Sequence, residues 1–262
     1  MDLSLTGKRA LVCGSSQGIG LAAAEELTRL GATCILMARD RAKLETSVNH
    51  LDALGLSRHE YLVADFSRME MLGEVIEKKL QEAGSIQILV NNTGGPPGGP
   101  LSGASPTIFL QTFSKHLLVN QMLAQALIPG MRKDSYGRII NIISTSVKTP
   151  LVNLGVSNTI RAAVASWAKT LSNEVAPDGI TVNNVLPGST LTGRLESLIK
   201  QNAEQRNVSR ERIEEEWKSA IPMGRFAQPG EIAALIAFLA TPAASYITGT
   251  SIRVDGGKTP SI

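Results

Sequence analysis

Three polar residues near the middle of the chain carry side chains that can act on a carbonyl group. Ser144 closes the apolar stretch NIIS, and Ser157 and Arg161 follow in a segment with helical periodicity. A serine hydroxyl can polarise a carbonyl oxygen, and a guanidinium can act as a fixed electrophile. Chemistry at a carbonyl that leaves a negative oxygen also requires a proton, and the aliphatic hydroxyl of Ser157 is a poor acid. Lys148, four residues after Ser144, is either a proton source or a solvated loop charge.

A glycine-rich turn near the start of the chain predicts a phosphate site. The stretch CGSSQGIG lies between an apolar run and an amphipathic helix that begins near Ile19. Glycines there let the backbone approach a pyrophosphate, which the amides at the helix N-terminus stabilise. Such a turn by itself is weak evidence, but its position between a strand and a helix strengthens the prediction. The predicted contacts are Gly14, Ser16, Gln17, Gly18, Ile19 and Gly20.

The residues after the second apolar run predict which dinucleotide binds. Arg39 stands where an acidic residue would accept a hydrogen bond from the 2′-hydroxyl of NAD, and its guanidinium can instead pair with the 2′-phosphate of NADP. The alternative is that Arg39 is a surface charge and Asp40 caps the next helix. Asp40 also leaves a ribose contact open. The pattern favours NADP(H) over NAD(H).

Apolar runs alternate with helical segments along the whole chain. This alternation predicts an α/β fold in which helices cover both faces of a doubly wound parallel sheet, the three-layer Rossmann arrangement. Residues 1–262 form a single dinucleotide-binding domain on this interpretation. The predicted strands are Arg9–Cys13, Cys34–Met37, Tyr61–Ala64, Ile88–Val90, Ile139–Ile143, Thr181–Val185 and Ser251–Val254.

Composition bounds the remaining possibilities. The 262 residues are 43% hydrophobic and 19% charged, with a formal net charge of +3 and no block of like charges, which argues against nucleic-acid binding. Cys13 and Cys34 lie in apolar runs and are expected to be buried thiols in a reducing compartment. No leader and no membrane-spanning run is predicted, so we expect a cytoplasmic protein without a membrane partner. His50, His59 and His116 lack metal-ligand spacing, and no metal site is predicted.

In their order along the chain these motifs resemble the short-chain dehydrogenase/reductase family, in the branch similar to β-ketoacyl reductases. The resemblance covers essentially the whole chain, from the glycine turn through Asn91-Asn92-Thr93-Gly94 to Val254-Asp255-Gly256-Gly257. It implies that Asp65 and Phe66 hold the adenine and that a long helix carries Asn120, which holds a water in a proton relay. The other cofactor contacts it implies are Asn92, Gly94, Arg161, Pro187, Gly188, Thr190 and Thr192.

The catalytic positions depart from the family pattern. The family places a tyrosine thirteen residues after the serine and a lysine four residues later, and Ser157 and Arg161 stand at these places. Tyr136, the nearest tyrosine, precedes the fifth strand, so no small shift of register restores the pattern. The resemblance therefore implies a catalytic set of Ser144, Asn120, Ser157 and Arg161, with a non-standard proton donor.

The function implied is NADP(H)-dependent reduction of a small-molecule carbonyl, similar to a 3-oxoacyl group, or oxidation of a secondary alcohol. The alternative is an NADP(H)-binding protein of low or no turnover that acts as a redox sensor or assembly partner. A methyltransferase is disfavoured by Arg39 and the NNTG loop. The resemblance also implies a homo-oligomer, a tetramer or dimer. It further implies a substrate lid at residues 192–228 with Trp217 and Met223 beside the substrate, and the alternative for Trp217 is a packing role. No cluster of basic residues in the sequence indicates a phosphorylated or acyl-carrier ligand.

Overall fold

A computed structural model describes residues 1–54 and 57–261 of the chain. Within these residues seven parallel strands form one sheet in the order β3-β2-β1-β4-β5-β6-β7, which confirms the predicted doubly wound fold. Most strands differ from their predicted bounds by one to three residues. The strands are β1 Arg9–Cys13, β2 Thr33–Ala38, β3 Glu60–Val63, β4 Ile88–Asn91, β5 Gly137–Ile142, β6 Ile180–Pro187 and β7 Ser251–Val254.

Helices cover both faces of the sheet, giving the predicted three layers in a single domain. Helices α1, α2 and α9 pack on one face, and α3, α5 and α6 pack on the other. Among the described helices none is long and apolar enough to cross a membrane. The helices are α1 Gly18–Arg29, α2 Arg41–Leu54, α3 Met69–Ala83, α4 Pro106–Phe113, α5 Val119–Lys133, α6 Gly155–Val175, α7 Gly193–Arg206, α8 Arg210–Ser219 and α9 Pro229–Ala240.

Strand side chains alternate between the two helical layers. In β1, Val12 packs with α1 and α9, and Leu11 packs with α3 and α5. Because both faces are buried, the central strands are apolar throughout, as is typical of parallel sheets. The strand order turns back between β1 and β4, and ligands of open α/β sheets bind at the carboxyl ends of strands at such a point.

A row of buried amides crosses the sheet just below that edge. Asn91 Nδ2 donates to Asn141 Oδ1 and Asn141 Nδ2 donates to Asn184 Oδ1, both over 2.9 Å. Asn184 Nδ2 then donates to Ser251 Oγ over 3.1 Å. These four residues are direct neighbours in the register of β4, β5, β6 and β7. Because a one-residue slip would leave buried amides unpaired, the row favours one register of the strands that carry the site.

Candidate active site

A cleft of about 1520 Å³ opens at the carboxyl edge of the sheet. Among the described residues, six cationic and three acidic side chains line it, so its field attracts anionic ligands. The cations are Arg39, Lys43, Lys115, Arg161, Arg194 and Lys258, and the acids are Asp40, Asp65 and Glu196. Sequence reasoning missed four of these cations, Lys43, Lys115, Arg194 and Lys258, because they come from segments that only the fold brings together.

The glycine turn forms a narrow cradle at one end of the cleft. Gly14 and Gly18 have φ values of +58° and +61°, which favour glycine. A Cβ on Gly20 would lie 2.3 Å from the carbonyl oxygen of Gly14, and one on Gly14 would lie 2.7 Å from the carbonyl oxygen of Asn92. The structure describes all of α1, and no side chain caps its N-terminus. Its first backbone amides are therefore free to bind a ligand. The cradle fits the pyrophosphate of a dinucleotide.

The edge beyond β2 is basic. Asp40 Oδ1 accepts a hydrogen bond from the Lys43 amide over 3.1 Å, so Asp40 caps α2. The Lys43 ammonium donates to Gln17 Oε1 over 3.3 Å, which places it beside the glycine turn. Arg39 and Lys43 both line the cleft. These residues fit a 2′-phosphate, because the cationic groups of Arg39 and Lys43 face the cleft. The nearby carboxylate of Asp40 is already occupied by a hydrogen bond from the backbone.

The loop after β3 holds Asp65 and Phe66 in the wall of the cleft. Asp65 Oδ1 accepts from the amide of Ser67 over 2.9 Å and from its hydroxyl over 2.8 Å. These hydrogen bonds lower the pKa of Asp65, with smaller contributions from Arg39 and Lys115, and so keep the carboxylate ionised. Phe66 packs against the core beneath α3. The loop is thus rigid where the resemblance places the adenine.

The remaining predicted cofactor residues also meet at this cleft. Asn92 Nδ2 donates to the carbonyl oxygen of Gly14 over 3.1 Å and ties the loop after β4 to the glycine turn. The Thr192 hydroxyl caps α7, accepting from the Leu195 amide over 3.4 Å. Gly20 lies beneath the surface and does not line the cleft. The predicted residues that do line it are Gly14, Ser16, Gln17, Gly18, Ile19, Arg39, Asp65, Phe66, Asn92, Gly94, Arg161, Pro187, Gly188, Thr190 and Thr192.

Ser144, Ser157 and Arg161 come together at the centre of the cleft. Ser144 is the second residue after the end of β5, and its Oγ accepts from the Ser146 amide over 3.1 Å. Arg161 Nε donates to Ser157 Oγ over 3.2 Å, one turn apart on α6. Arg161 Nη1 donates to two carbonyl oxygens at the end of β5, those of Ile142 over 3.1 Å and Ile143 over 2.8 Å. The guanidinium is therefore locked between α6 and β5.

These contacts fix the direction of the Arg161 guanidinium, which can still donate hydrogen bonds to a ligand. The two N–H groups on Nη2 have no acceptor among the residues that the structure describes. Burial lowers the pKa of Arg161 to about 10, and the like charge of Arg194 adds to the shift. The group is still protonated at neutral pH, so Arg161 can stabilise an anion there.

Asn120 does not reach the cleft. A single wide helical turn, Ser114–Leu118, precedes it and joins α4 to α5, which agrees with a distorted helix. Asn120 is buried and is not among the residues that line the cleft. In that turn His116 is buried beside Gly94, where burial and then the charge of Arg161 lower its pKa to about 3. His116 is therefore neutral, and it packs behind the site.

Lys148 is exposed and does not line the cleft. This position favours the solvated loop charge over the proton source, the two alternatives that the sequence left open. None of the three tyrosines, all of which the structure describes, lines the cleft either. Tyr136 donates instead to the carbonyl oxygen of Ala240 over 2.6 Å and packs between the cationic groups of Lys8 and Arg138.

Helices α7 and α8 form a small separate cluster over the cleft. Leu195, Ile199 and Ile213 are buried in it, and Trp217 packs against it. Trp217 also lines the cleft, so it is both a packing residue and part of the wall. Met223 is 69% exposed and lies outside the cleft, which corrects its predicted place beside the substrate.

Comparisons with known proteins agree with this arrangement. The family model described as enoyl-(acyl carrier protein) reductase matches residues 14–259. The 3-oxoacyl-[acyl-carrier-protein] reductase FabG of Vibrio cholerae is 34% identical over 257 residues, covering 97% of this chain and 98% of that protein. The NADPH-dependent reductase BacG of Bacillus subtilis is 30% identical over 263 residues, covering 98% and 100%.

Among solved structures, the L-sorbose reductase of Gluconobacter frateurii, complexed with NADPH and L-sorbose, superposes with a TM-score of 0.93. It is 31% identical, and the match covers 100% of both chains. The glycine cradle, the parallel sheet and these matches lead to one conclusion: the chain belongs to the short-chain dehydrogenase/reductase family, in its ketoreductase-like branch.

Proposed function

We propose that the chain is an NADP(H)-dependent reductase that acts on a small-molecule carbonyl similar to a 3-oxoacyl group, or on the secondary alcohol in reverse. The observation that carries the proposal is that one cleft joins a dinucleotide cradle to Ser144 and the free donors of Arg161. A cofactor site alone would not need an oriented hydroxyl and a fixed cation at its inner end.

The cofactor assignment is supported by charge. Arg39 and Lys43 line the cleft beside the glycine turn, where a 2′-phosphate would add two negative charges. Two of the compared proteins are named or described with NADPH. The contacts proposed for the cofactor are those predicted from the sequence, with Gly20 shaping the turn from beneath and Lys43 added to them.

In the proposed reaction this chain holds a developing oxyanion. Bound NADPH supplies the hydride to the carbonyl carbon. The Ser144 hydroxyl and one of the two N–H groups of Arg161 Nη2 then bind the carbonyl oxygen as it becomes negative. Ser157 accepts from Nε and so orients the guanidinium. Removal of one such oxyanion donor costs about 10²-fold to 10³-fold in kcat in other enzymes.

The source of the proton is the unusual part of the proposed reaction. Ser157 and Arg161 occupy the places of the tyrosine and lysine of the family pattern, and a fixed guanidinium gives up no proton at neutral pH. Asn120 and Lys148 lie outside the cleft. We therefore assign the proton to water that enters the open cleft, a slower donor than a tuned phenol.

Two further features belong to the proposal. Residues 192–228, with the cluster of α7 and α8, form a lid over the substrate end of the cleft. Arg194 Nη2 donates to the carbonyl oxygen of Pro96 over 2.7 Å, which ties this lid to the loop after β4. A homo-oligomer, a tetramer or dimer, is the expected assembly.

The test separates cofactor binding from turnover. NADPH and NADH are titrated against the protein by nucleotide fluorescence, and oxidation of NADPH is followed over 3-oxoacyl esters, ketoses and 2-oxo acids. We expect NADPH to bind more tightly and at least one carbonyl to be reduced. Tight NADPH binding without any turnover would favour the alternative, a redox sensor or assembly partner, which the absence of a tyrosine from the cleft also favours. Absence of nucleotide binding would refute both.

A further inference from the structure

Two arginines from distant parts of the chain meet at the substrate end of the cleft. Arg161 projects from α6, and Arg194 lies in the first turn of α7. Both approach Gly95: a Cβ at Gly95 would lie 3.3 Å from Arg194 Nη2 and 3.6 Å from Arg161 Nη2. The two guanidinium groups therefore face one small space, and the absence of a side chain at Gly95 keeps that space open.

Within residues 1–54 and 57–261, no protein anion neutralises this pair. Among the described residues, neither guanidinium has a carboxylate oxygen within 4.0 Å. Their protein acceptors are neutral: Ser157 Oγ and three backbone carbonyl oxygens. Burial lowers the pKa of both groups, and the charge of Arg194 lowers that of Arg161 further. Arg161 is partly buried and Arg194 is exposed, so solvent screens part of their repulsion, and a bound anion removes the cost that remains.

The side chains that line the cleft around the two arginines indicate the chemistry of the rest of the ligand. The apolar side chains of Leu151, Val152, Leu154, Leu198 and Trp217 line the same cleft. These walls suit an apolar body. Ser144 and Ser157 lie next to Arg161, so an anion held by the arginines would be close to the carbonyl that reacts.

We propose that the substrate is a carbonyl compound with a carboxylate close to the reacting carbonyl, and that Arg161 and Arg194 bind this carboxylate beside Gly95. This inference rests on the proposed function, whose substrate it narrows. A planar carboxylate has two oxygens, so one can accept from Arg161 Nη2 and the other from Arg194. Arg194 acts here as a specificity-determining residue, since it holds the end of the substrate that does not react.

The test compares an acid with its neutral ester. Binding of benzoylformate and of methyl benzoylformate is measured by calorimetry, with the free protein and with the NADPH complex. The acid is expected to bind at least tenfold more tightly than the ester, because only the acid pairs with both guanidinium groups. The ratio of the ester's dissociation constant to that of the acid measures this preference. Arg194→Met is expected to bring the ratio near one, and Arg194→Lys is expected to retain part of it. Gly95→Ala is expected to reduce the ratio, because its methyl group narrows the space between the arginines.

The matched control is Arg68→Met, which removes an exposed arginine outside the cleft and should leave the ratio unchanged. Equal binding of acid and ester by the wild-type protein would overturn the inference, as would a ratio that survives Arg194→Met. Arg194→Met that weakens NADPH as much as benzoylformate would overturn it too, because Arg194 would then serve the cofactor phosphates. The free-protein measurement needs no NADPH, so a failure of the proposed function remains distinguishable.

Discussion

Arg161 and Ser157 are joined on one face of α6, where the Arg161 Nε donates to the Ser157 Oγ over 3.2 Å. The same guanidinium reaches the carbonyl oxygens of Ile142 and Ile143 at the end of β5. The two residues thus act as a unit. One carries the charge, and the other fixes its direction.

Ser157→Ala is expected to lower kcat about tenfold, the effect of losing one hydrogen bond to a charged group. NADPH affinity should change less than twofold, because Arg161 keeps its contacts with β5. The matched control is Thr159→Ala, which removes an exposed hydroxyl from the same helix. If Ser157→Ala lowered kcat as much as Arg161→Met does, Ser157 would itself be a reacting group.

The double variant Ser157→Tyr with Arg161→Lys introduces the pair that the family pattern contains. Both positions line the cleft, so the phenol can extend into it. We expect NADPH binding to persist and the rate to depend on pH through an added group that titrates below the usual phenol pKa of about 10. The measurement is kcat/KM against pH for the wild-type and double-variant proteins. Superimposable profiles would contradict this prediction, because the introduced phenol would then take no part in proton transfer.

Arg39→Ala and Lys43→Ala should each weaken NADPH binding by about 10-fold to 100-fold, the effect of one charge-assisted contact with phosphate. NADH binding should change little, since NADH lacks the 2′-phosphate. Arg41→Ala is the control, because Arg41 contacts Tyr61 and lies outside the cleft. Titrations by nucleotide fluorescence provide the comparison. Parallel losses of NADH and NADPH would argue against a 2′-phosphate site.

Gly20→Ala should abolish dinucleotide binding. Its Cβ would lie 2.3 Å from the carbonyl oxygen of Gly14, and the turn could admit it only by moving. Gly230→Ala is a matched change on α9 in open space, and replacing that helical glycine should stabilise the protein by about 0.5–1 kcal/mol. Thermal unfolding and NADPH titration of both variants test this contrast. Normal binding by the Gly20 variant would contradict the proposed cradle.

His116 makes the protein sensitive to acid. Its folded-state pKa of about 3 lies below the unfolded value of 6.5, so neutral His116 favours folding above pH 6.5. That contribution is lost as the pH falls from about 6.5 to about 3, because the unfolded chain then binds the extra proton. His116→Gln should lose less stability than the wild type between pH 7 and pH 4.5 in urea unfolding. His50→Gln, at an exposed site, should behave as wild type.

Much of the fold could be predicted because its signals are local. The apolar runs around Val12, Leu89 and Ile140 are buried on both faces, and glycine at Gly14 and Gly20 follows from short-range geometry. The strand ends were less predictable, since pairing with a neighbour decides them. β6 extends to Pro187 because its last residues pair with β7.

The candidate site was only partly accessible to such reasoning. Residues in ordered motifs, such as Asp65 and Thr192, were found because each follows a strand. Lys43 and Arg194 were missed, since a single charge on a helix carries no local signal of what it faces. Met223 was placed beside the substrate, but it is exposed and lies outside the cleft.

Periodicity and spacing along the chain were enough to predict the sheet and its glycine turn, and the resemblance implied catalytic roles for Ser157 and Arg161. The tertiary structure alone decided that Arg161 meets Arg194, thirty-three residues away, beside Gly95. It also decided that Ser157 aims Arg161 instead of standing free. Such contacts depend on how α6, α7 and the loop after β4 pack at one edge of the sheet. Which charged groups meet, and which hydrogen bonds orient them, is therefore decided only by the folded chain.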